Sequence, residues 1–517
     1  MGLENIIAGG IYMKINLAGY NVDTNVLKEL KAHSPSRDDI TPEVLSASYA
    51  RISRDPRDID AIRMDARNEV EKSRKSNSTI IFKMGHHSVA EHAVFNLDII
   101  GASRLIMEEI EKFRLCSYTE KSQRYITLDN DFVVPPEITG SSAESSFNEM
   151  IAKQNEAYFV LYERLKDYIF DQNADLAKDK KNHSLLDGWA KEDARYITAL
   201  ATESQVGLTV NARNLELMLR RFASHPLKEV QTLGKMIYDQ VVEIAPSIII
   251  FNEANDRDIH SYANLKKVTQ DLFATKNIKE DFMQNDQEVD LVDYTFDGDA
   301  VVAAALLHTS SGMPYQECEK IAKELSNTQR MDLFKTAFAR MQFYDSMLRE
   351  FEYVNLTYNL ILSSACFGQL KRHRMATLTS QAYDPLLGNT IPQSIKAIGM
   401  EDYFQKIVDQ TNQVYRDIKE RNPLVAPYIL TNSHRKRALI RVNARELYHI
   451  SRLREDQHAQ WDIRQVTQHM SRAAKHVMPQ TFALIGGKDR YNSVYHDLFG
   501  HQPKVTEAVL PGTRTIK

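Results

Sequence analysis

Two stretches of this chain carry the same order of elements, and that repeat constrains the fold more than any single motif does. In the first stretch Phe95, Leu97 and Ile99 alternate with Asn96 and Asp98, the period of a half-buried strand. Leu105, Ile106, Met107 and Ile110 then recur at helical spacing and lead to Lys112 and Arg114. In the second stretch Val354, Leu356 and Tyr358 alternate with Asn355, Thr357 and Asn359, and the helix that follows ends in Arg372-His373-Arg374. Downstream, Asn211-Ala212-Arg213 opens an amphipathic helix bearing Arg221 and His225. Asn443-Ala444-Arg445 opens a longer one bearing His449, Arg454, His458 and Trp461. Tandem halves of one fold follow. The run from Asn252 to Asp299, rich in Asn, Asp, Lys and Gln, marks the junction, so the expected layout is a first half over 1–251, a polar linker over 252–290 and a second half over 291–517.

A length of 517 residues agrees with more than one core. The formal charge of -4 is small for that size and argues against a broad basic surface for nucleic acid, so any bound anion should be held locally. Cys116, Cys318 and Cys366 are too few and too scattered for a disulfide framework or a cysteine metal site, and a reducing cytoplasm is the expected home. No apolar run approaches a membrane span, and the start, MGLENIIAGGIYMKINL, lacks the pattern of a signal peptide.

The window Lys112–Tyr125, KFRLCSYTEKSQRY, has almost no apolar face. On an extended segment Glu120, Ser122 and Arg124 would share one side and offer an acceptor, a hydroxyl and a planar cationic fork to a small anion. On a helix Glu120 and Arg124 would form an ordinary surface pair. Both readings stand at this point. The stretch Gly85–His92, GHHSVAEH, invites a zinc reading, but His87 and His92 lie about 140° apart on a helix, which does not suit one metal. A loop that meets a ligand, or turn and capping residues, are the other readings.

Taken together, these motifs resemble the flavin-dependent thymidylate synthase family, whose signature runs RHRxxSxxExSxR. The first copy, KFRLCSYTEKSQR, keeps Arg114, Ser117, Glu120, Ser122 and Arg124 but has Lys112 and Phe113 for the first Arg and the His. The second, RHRMATLTSQAYD, keeps Arg372, His373 and Arg374, then has Thr377, Ser380, Ala382 and Asp384 where Ser, Glu, Ser and Arg should stand. The segment His86–His92 resembles the family's flavin-contacting HxTxxEH stretch, and Asn443 to His458 matches its downstream pattern.

The resemblance implies an α+β fold, helix-rich, with a mixed or antiparallel sheet in each half. It implies reductive methylation of dUMP to dTMP with FAD as cofactor and methylenetetrahydrofolate and NADPH as co-substrates. Arg454 is the implied catalytic residue, with Arg221 its weaker counterpart. Glu120, Ser122, Arg124, Arg195 and Gln369 are implied to hold dUMP. His86, Ser88, Glu91, Arg372, His373, Arg374, Asn443, Arg445, His449 and His458 are implied to hold FAD. The losses in the two signatures are complementary, so the expectation is a composite site built from unlike halves, in a homodimer that mimics the family's homotetramer. A flavin enzyme of this fold acting on another pyrimidine nucleotide, or a non-catalytic nucleotide-binding subunit, are the alternatives.

Overall fold

The structure, a computed structural model, describes residues 13–32, 40–52, 55–83, 86–124, 131–276 and 288–504. The first twelve residues, Gly85, Tyr125 and positions 277–287 of the expected linker lie outside the described residues. By its contacts the chain divides into two units, Met1–Phe282 with Ile391–Asn432, and Met283–Thr390 with Ser433–Lys517.

Each unit holds one four-stranded sheet. The first is formed by β1 (Lys14–Tyr20), β2 (Val94–Ser103), β3 (Cys116–Glu120) and β4 (Glu203–Asn211), in the order β1-β2-β4-β3. The second is formed by β5 (Val289–Tyr294), β6 (Asn355–Ser363), β7 (Thr377–Ser380) and β8 (Arg435–Asn443), in the order β5-β6-β8-β7. Among the described residues every strand pairing is antiparallel, and helices make up most of the remainder.

The two alternating runs read in the sequence are β2 and β6. Their shared partners β4 and β8 carry the same signal: β4 buries Ser204, Val206, Leu208 and Val210, and β8 buries Lys436, Ala438, Ile440 and Val442, every second residue in each. Polar caps set the helices in register. Ser103 accepts a hydrogen bond from Ile106 N at 3.3 Å and Ser363 from Cys366 N at 3.0 Å. Asn211 accepts from Asn214 N at 3.0 Å and Asn443 from Glu446 N at 2.8 Å. Positions counted from these four caps are therefore equivalent in the two repeats. The sheets agree, since Glu120 faces Val206 and Ser380 faces Ala438.

The core of the first unit includes Phe95, Leu97 and Ile99 with Leu215, Leu219, Phe222, Leu233 and Ile237. That of the second includes Leu356, Tyr358 and Leu360 with Ile440, Leu447, Ile450 and Met470. The segment Ile391–Asn432, although it comes from the second repeat, packs within the first unit. Its helix Glu401–Arg421 buries Phe404, Ile407, Val408, Thr411, Tyr415 and Ile418, and lies against the helix Ser142–Gln172. Gln154 Nε2 donates to Thr411 Oγ1 and to the Ile429 carbonyl, both at 2.9 Å. An isolated antiparallel bridge then joins Ala199 to Thr431, each twelve residues before its Asn cap.

The helix Asp256–Thr275 occupies most of the described part of the expected linker and buries none of its residues, while Val289 and Asp290 already belong to β5. The polar stretch after Gln172 contains two short helical turns, Ala174–Ala177 and Lys180–Asn182, with no buried residue, which explains its lack of apolar pattern. Among the described residues no helix is long and apolar enough to cross a membrane.

Candidate active site

In the first unit the window after Lys112 is neither one helix nor one strand. β3 ends at Glu120, then Lys121 N donates to the Gln205 carbonyl at 2.8 Å and Arg124 N to Ser122 Oγ at 3.2 Å, so the chain turns. The helical pair of Glu120 with Arg124 does not form. Glu120 Oε1 instead stands 3.7 Å from Arg104 Nη1 and accepts from Ser204 Oγ at 3.3 Å, while Arg124 Nε donates to Glu192. The extended reading holds only as far as Glu120, because the turn takes Ser122 and Arg124 off the strand.

Arg195 completes the group. Its Nε donates to the Glu192 carbonyl at 3.2 Å, and its Nη2 is buried without a hydrogen-bond partner. Burial lowers its pKa, Glu192 opposes that shift, and Arg124 and Arg104 add like-charge repulsion. Three guanidinium groups, Arg104, Arg124 and Arg195, thus gather with the carboxylates Glu120 and Glu192. Positive charge is in excess among these five, which favours a bound anion. Arg104 is the member that sequence reasoning missed; it is the first residue after the Ser103 cap, and a cation in a helix's first turn, where the dipole disfavours it, was the available signal.

The remaining first-unit candidates lie on two other elements. His86, His87 and Ser88 are exposed at the 3-10 turn His87–His92. Glu91 pairs with Arg213. Among the described residues no group of three or more His, Cys, Asp or Glu is placed to hold a metal ion. Arg221 lies over the Phe113 ring, 5.9 Å from its centroid, and His225 Nε2 is 3.5 Å from Glu109 Oε2.

In the second unit the equivalent places are filled differently. Arg454 Nε donates to His373 Nε2 at 2.9 Å and Arg454 Nη2 to the Gln369 carbonyl at 3.3 Å. Because an arginine only donates, His373 must accept through Nε2 and carry its proton on Nδ1, which faces Glu446 Oε1 at 3.8 Å. Burial, then the Arg454 charge, pushes the His373 pKa well down, so the ring stays neutral. Burial likewise raises Glu446 to about 7. His449 approaches His373 edge-on with centroids 5.8 Å apart, and Gln369 Nε2 donates to Gln460 Oε1 at 3.1 Å. Arg372, His449 and His458 are exposed and Arg374 is half-buried.

Asn443 is the helix cap already described, and Arg445 donates to the Met347 carbonyl at 2.7 Å and Glu352 Oε1 at 2.8 Å. The first unit repeats both arrangements, with Asn211 as cap and Arg213 paired to Glu91. The shared Asn-Ala-Arg motif therefore has a structural role in each unit.

Counting from the caps exposes two exchanges. Phe113 stands where the second repeat has His373, and Phe222, eleven residues past Asn211, where it has Arg454. The two phenylalanines meet edge-to-face, centroids 5.9 Å apart, so an aromatic pair replaces the polar one and Arg221 falls one position short of the Arg454 equivalent. Conversely, Ser364, Ser380, Tyr383 and Asp384 replace Arg104, Glu120, Gln123 and Arg124. There Lys436, at the position of Ser204, is buried with its Nζ 4.2 Å from the Phe367 ring centroid and 4.1 Å from that of Tyr383. A cation and two rings thus occupy in the second unit the ground that the arginine group holds in the first.

A family model described as thymidylate synthase complementing protein matches residues 38–247 and again 290–480. The flavin-dependent thymidylate synthase of Clostridium tetani is 27% identical over 41% of this chain and 82% of its own length. That of Pyrococcus furiosus is 30% identical over 39% of this chain and 79% of its own length. A UPF0159 protein of Thermoplasma acidophilum is 22% identical over 85% of this chain and 94% of its own, so it spans both repeats. Among solved structures, a UMP/dUMP methylase PolB from Streptomyces cacaoi bound with 5-Br dUMP shares 19% identity over 46% of this chain and 93% of that one, with a TM-score of 0.31.

Proposed function

The chain belongs to the thymidylate synthase complementing protein family, the flavin-dependent thymidylate synthases, and from that premise we propose that it converts dUMP to dTMP with FAD, methylenetetrahydrofolate and NADPH. The observation that carries this reading is the complementary retention. The first unit keeps the arginine group that suits a nucleotide phosphate, and the second keeps the Arg454–His373 pair. A chain drifting away from the activity would have no reason to lose opposite parts in its two copies.

In this reading one complete site draws on unlike halves, and a homodimer of the chain supplies what the homotetramer supplies elsewhere in the family. Glu120, Ser122, Arg124 and Arg195, with Gln369, hold dUMP; guanidinium forks match phosphate oxygens better than point charges do. Arg454 is the catalytic residue. Its cation, held by His373, stabilises negative charge gathering on the carbonyl side of the pyrimidine as C5 becomes nucleophilic. Arg221, lying over Phe113, has no imidazole to hold it and serves at most the weaker counterpart site.

The residues implied for FAD suit an anionic dinucleotide by their chemistry: Arg372, His449, His458, His86 and Ser88 are exposed N–H or O–H donors, and Arg374 is half-exposed. His373, Asn443, Arg445 and Glu91 support that surface through the cap, ion pairs and ring contact described above. FAD, when bound, passes the reducing equivalents of NADPH to the transferred carbon, and the protein supplies binding, orientation and electrostatics.

The purified protein should be yellow, its flavin absorbance should bleach with NADPH, and it should form dTMP from dUMP and methylenetetrahydrofolate. A flavin-free protein, or one that methylates a different pyrimidine nucleotide in preference to dUMP, would overturn the assignment.

A further inference from the structure

Beside Arg195 in the first unit, Gln123 is buried, 6% exposed, and its Nε2 has no hydrogen-bond partner. Arg195, 8% exposed, presents a second such donor in Nη2. Two buried N–H donors left unmade are costly unless a ligand meets them. What decides which end of the Gln123 amide is left over is Asn432, a residue of the second repeat that folds into this unit.

The chain of hydrogen bonds fixes the amide from a backbone anchor. Asn432 Nδ2 lies 3.1 Å from the Arg195 carbonyl, which only accepts, so that end of Asn432 must be the donor. Thr198 Oγ1 donates to the same carbonyl at 2.9 Å and is therefore free to accept from Asn432 Nδ2 at 3.0 Å. Gln123 Oε1 lies 3.2 Å from Asn432 Nδ2, whose two hydrogens are shared among three acceptors; an oxygen can face that NH2 group and a second NH2 cannot, so Gln123 Nε2 is turned the other way. Asn432 is itself held, its backbone N donating to the Thr198 carbonyl at 2.9 Å. The equivalent position in the first repeat is Leu200, which could do none of this, and the equivalent of Gln123 is Tyr383.

We propose that Gln123 is a further binding residue for the anionic nucleotide, and that Asn432 is its positioning residue, lent by the second repeat to complete the anion pocket of the first. The inference rests on the nucleotide reading given above. It adds a physical reason for the two copies to share one chain: the pocket's last donor is oriented only when the segment Ile391–Asn432 is folded against it.

The test is dUMP binding by the full-length protein and its variants, read by titration calorimetry, with flavin content and melting temperature as controls. Gln123→Met should weaken dUMP binding about tenfold, the loss of one buried hydrogen bond to a charged ligand. Asn432→Leu should weaken it by a similar factor. The double variant should be no weaker than either single one, because Asn432 acts through Gln123. Asn432→Asp keeps the shape but reverses the polarity and adds a negative charge, so binding falls further than in Asn432→Leu; the share that acts through Gln123 is the share that disappears when Gln123→Met is already present, and this comparison decides the matter if the leucine variant does not fold. Unchanged affinity in Gln123→Met, or losses that multiply in the double variant, would overturn the proposal while leaving the nucleotide reading intact. Wild-type protein that binds no dUMP would instead overturn that reading, and this inference with it.

Discussion

Arg454 Nε donates to His373 Nε2 at 2.9 Å, and the two positions that match them in the other repeat, Phe222 and Phe113, meet as an edge-to-face aromatic pair. Both members differ between the repeats. A lone arginine facing Phe113, or a lone histidine facing Phe222, would leave a polar group buried without its partner, which costs more than replacing both. Each unit thus holds an internally consistent pair, and the proposed catalytic role falls to the polar one.

His373→Phe should therefore cost some stability, read as a lower melting temperature, and in the folded protein it should act through Arg454. The ring keeps its bulk, but Arg454 loses the imidazole acceptor that helps to direct it. We expect kcat to fall about a hundredfold, the scale for removing one preorganised electrostatic group, with KM for dUMP little changed. Steady-state kinetics check this; an unchanged kcat would mean the pair is only structural.

One chain should bind one dUMP. Lys436, Phe367 and Tyr383 fill with their own side chains the place that the arginine group occupies in the first unit. Calorimetric titration should give a stoichiometry near one nucleotide per chain, and a value near two would show that the second unit still accepts it.

Much of the fold was legible in the sequence because it is written twice. The alternating runs of β2 and β6 and the Asn caps at Asn211 and Asn443 are local signals, and the repeat made each one count double. What was not legible depends on contacts far apart in the chain. Nothing local in Ile391–Asn432 says that it packs within the first unit, since the helix Glu401–Arg421 has an ordinary amphipathic pattern that would suit any apolar partner. The same holds at the candidate site. Glu120, Ser122 and Arg124 were found by their spacing, but the turn at Ser122 and the pairing of Arg124 with Glu192 could not be, because the partner lies on a helix far along the chain.

Stability should carry a pH signature from Glu229. This carboxyl is fully buried, accepts from Ser103 N and Oγ and Tyr428 Oη, and burial raises its pKa from 4.5 to about 7. Between those values the folded chain keeps a proton that the unfolded chain has released, so stability falls as pH rises through that window. Glu229→Gln should remove this contribution. Denaturant unfolding at pH 5 and pH 8 should show the wild type losing stability relative to the variant on going to the higher pH, and parallel behaviour would refute the assignment.

The division of labour between the repeats is tested most directly by titrating dUMP into Arg124→Ala and Asp384→Ala, the same signature position in the two copies. The account predicts that Arg124→Ala binds dUMP about tenfold or more weakly, the cost of one charge-assisted contact, while Asp384→Ala binds as the wild type does. Equal losses in the two variants, or a loss confined to Asp384→Ala, would contradict it.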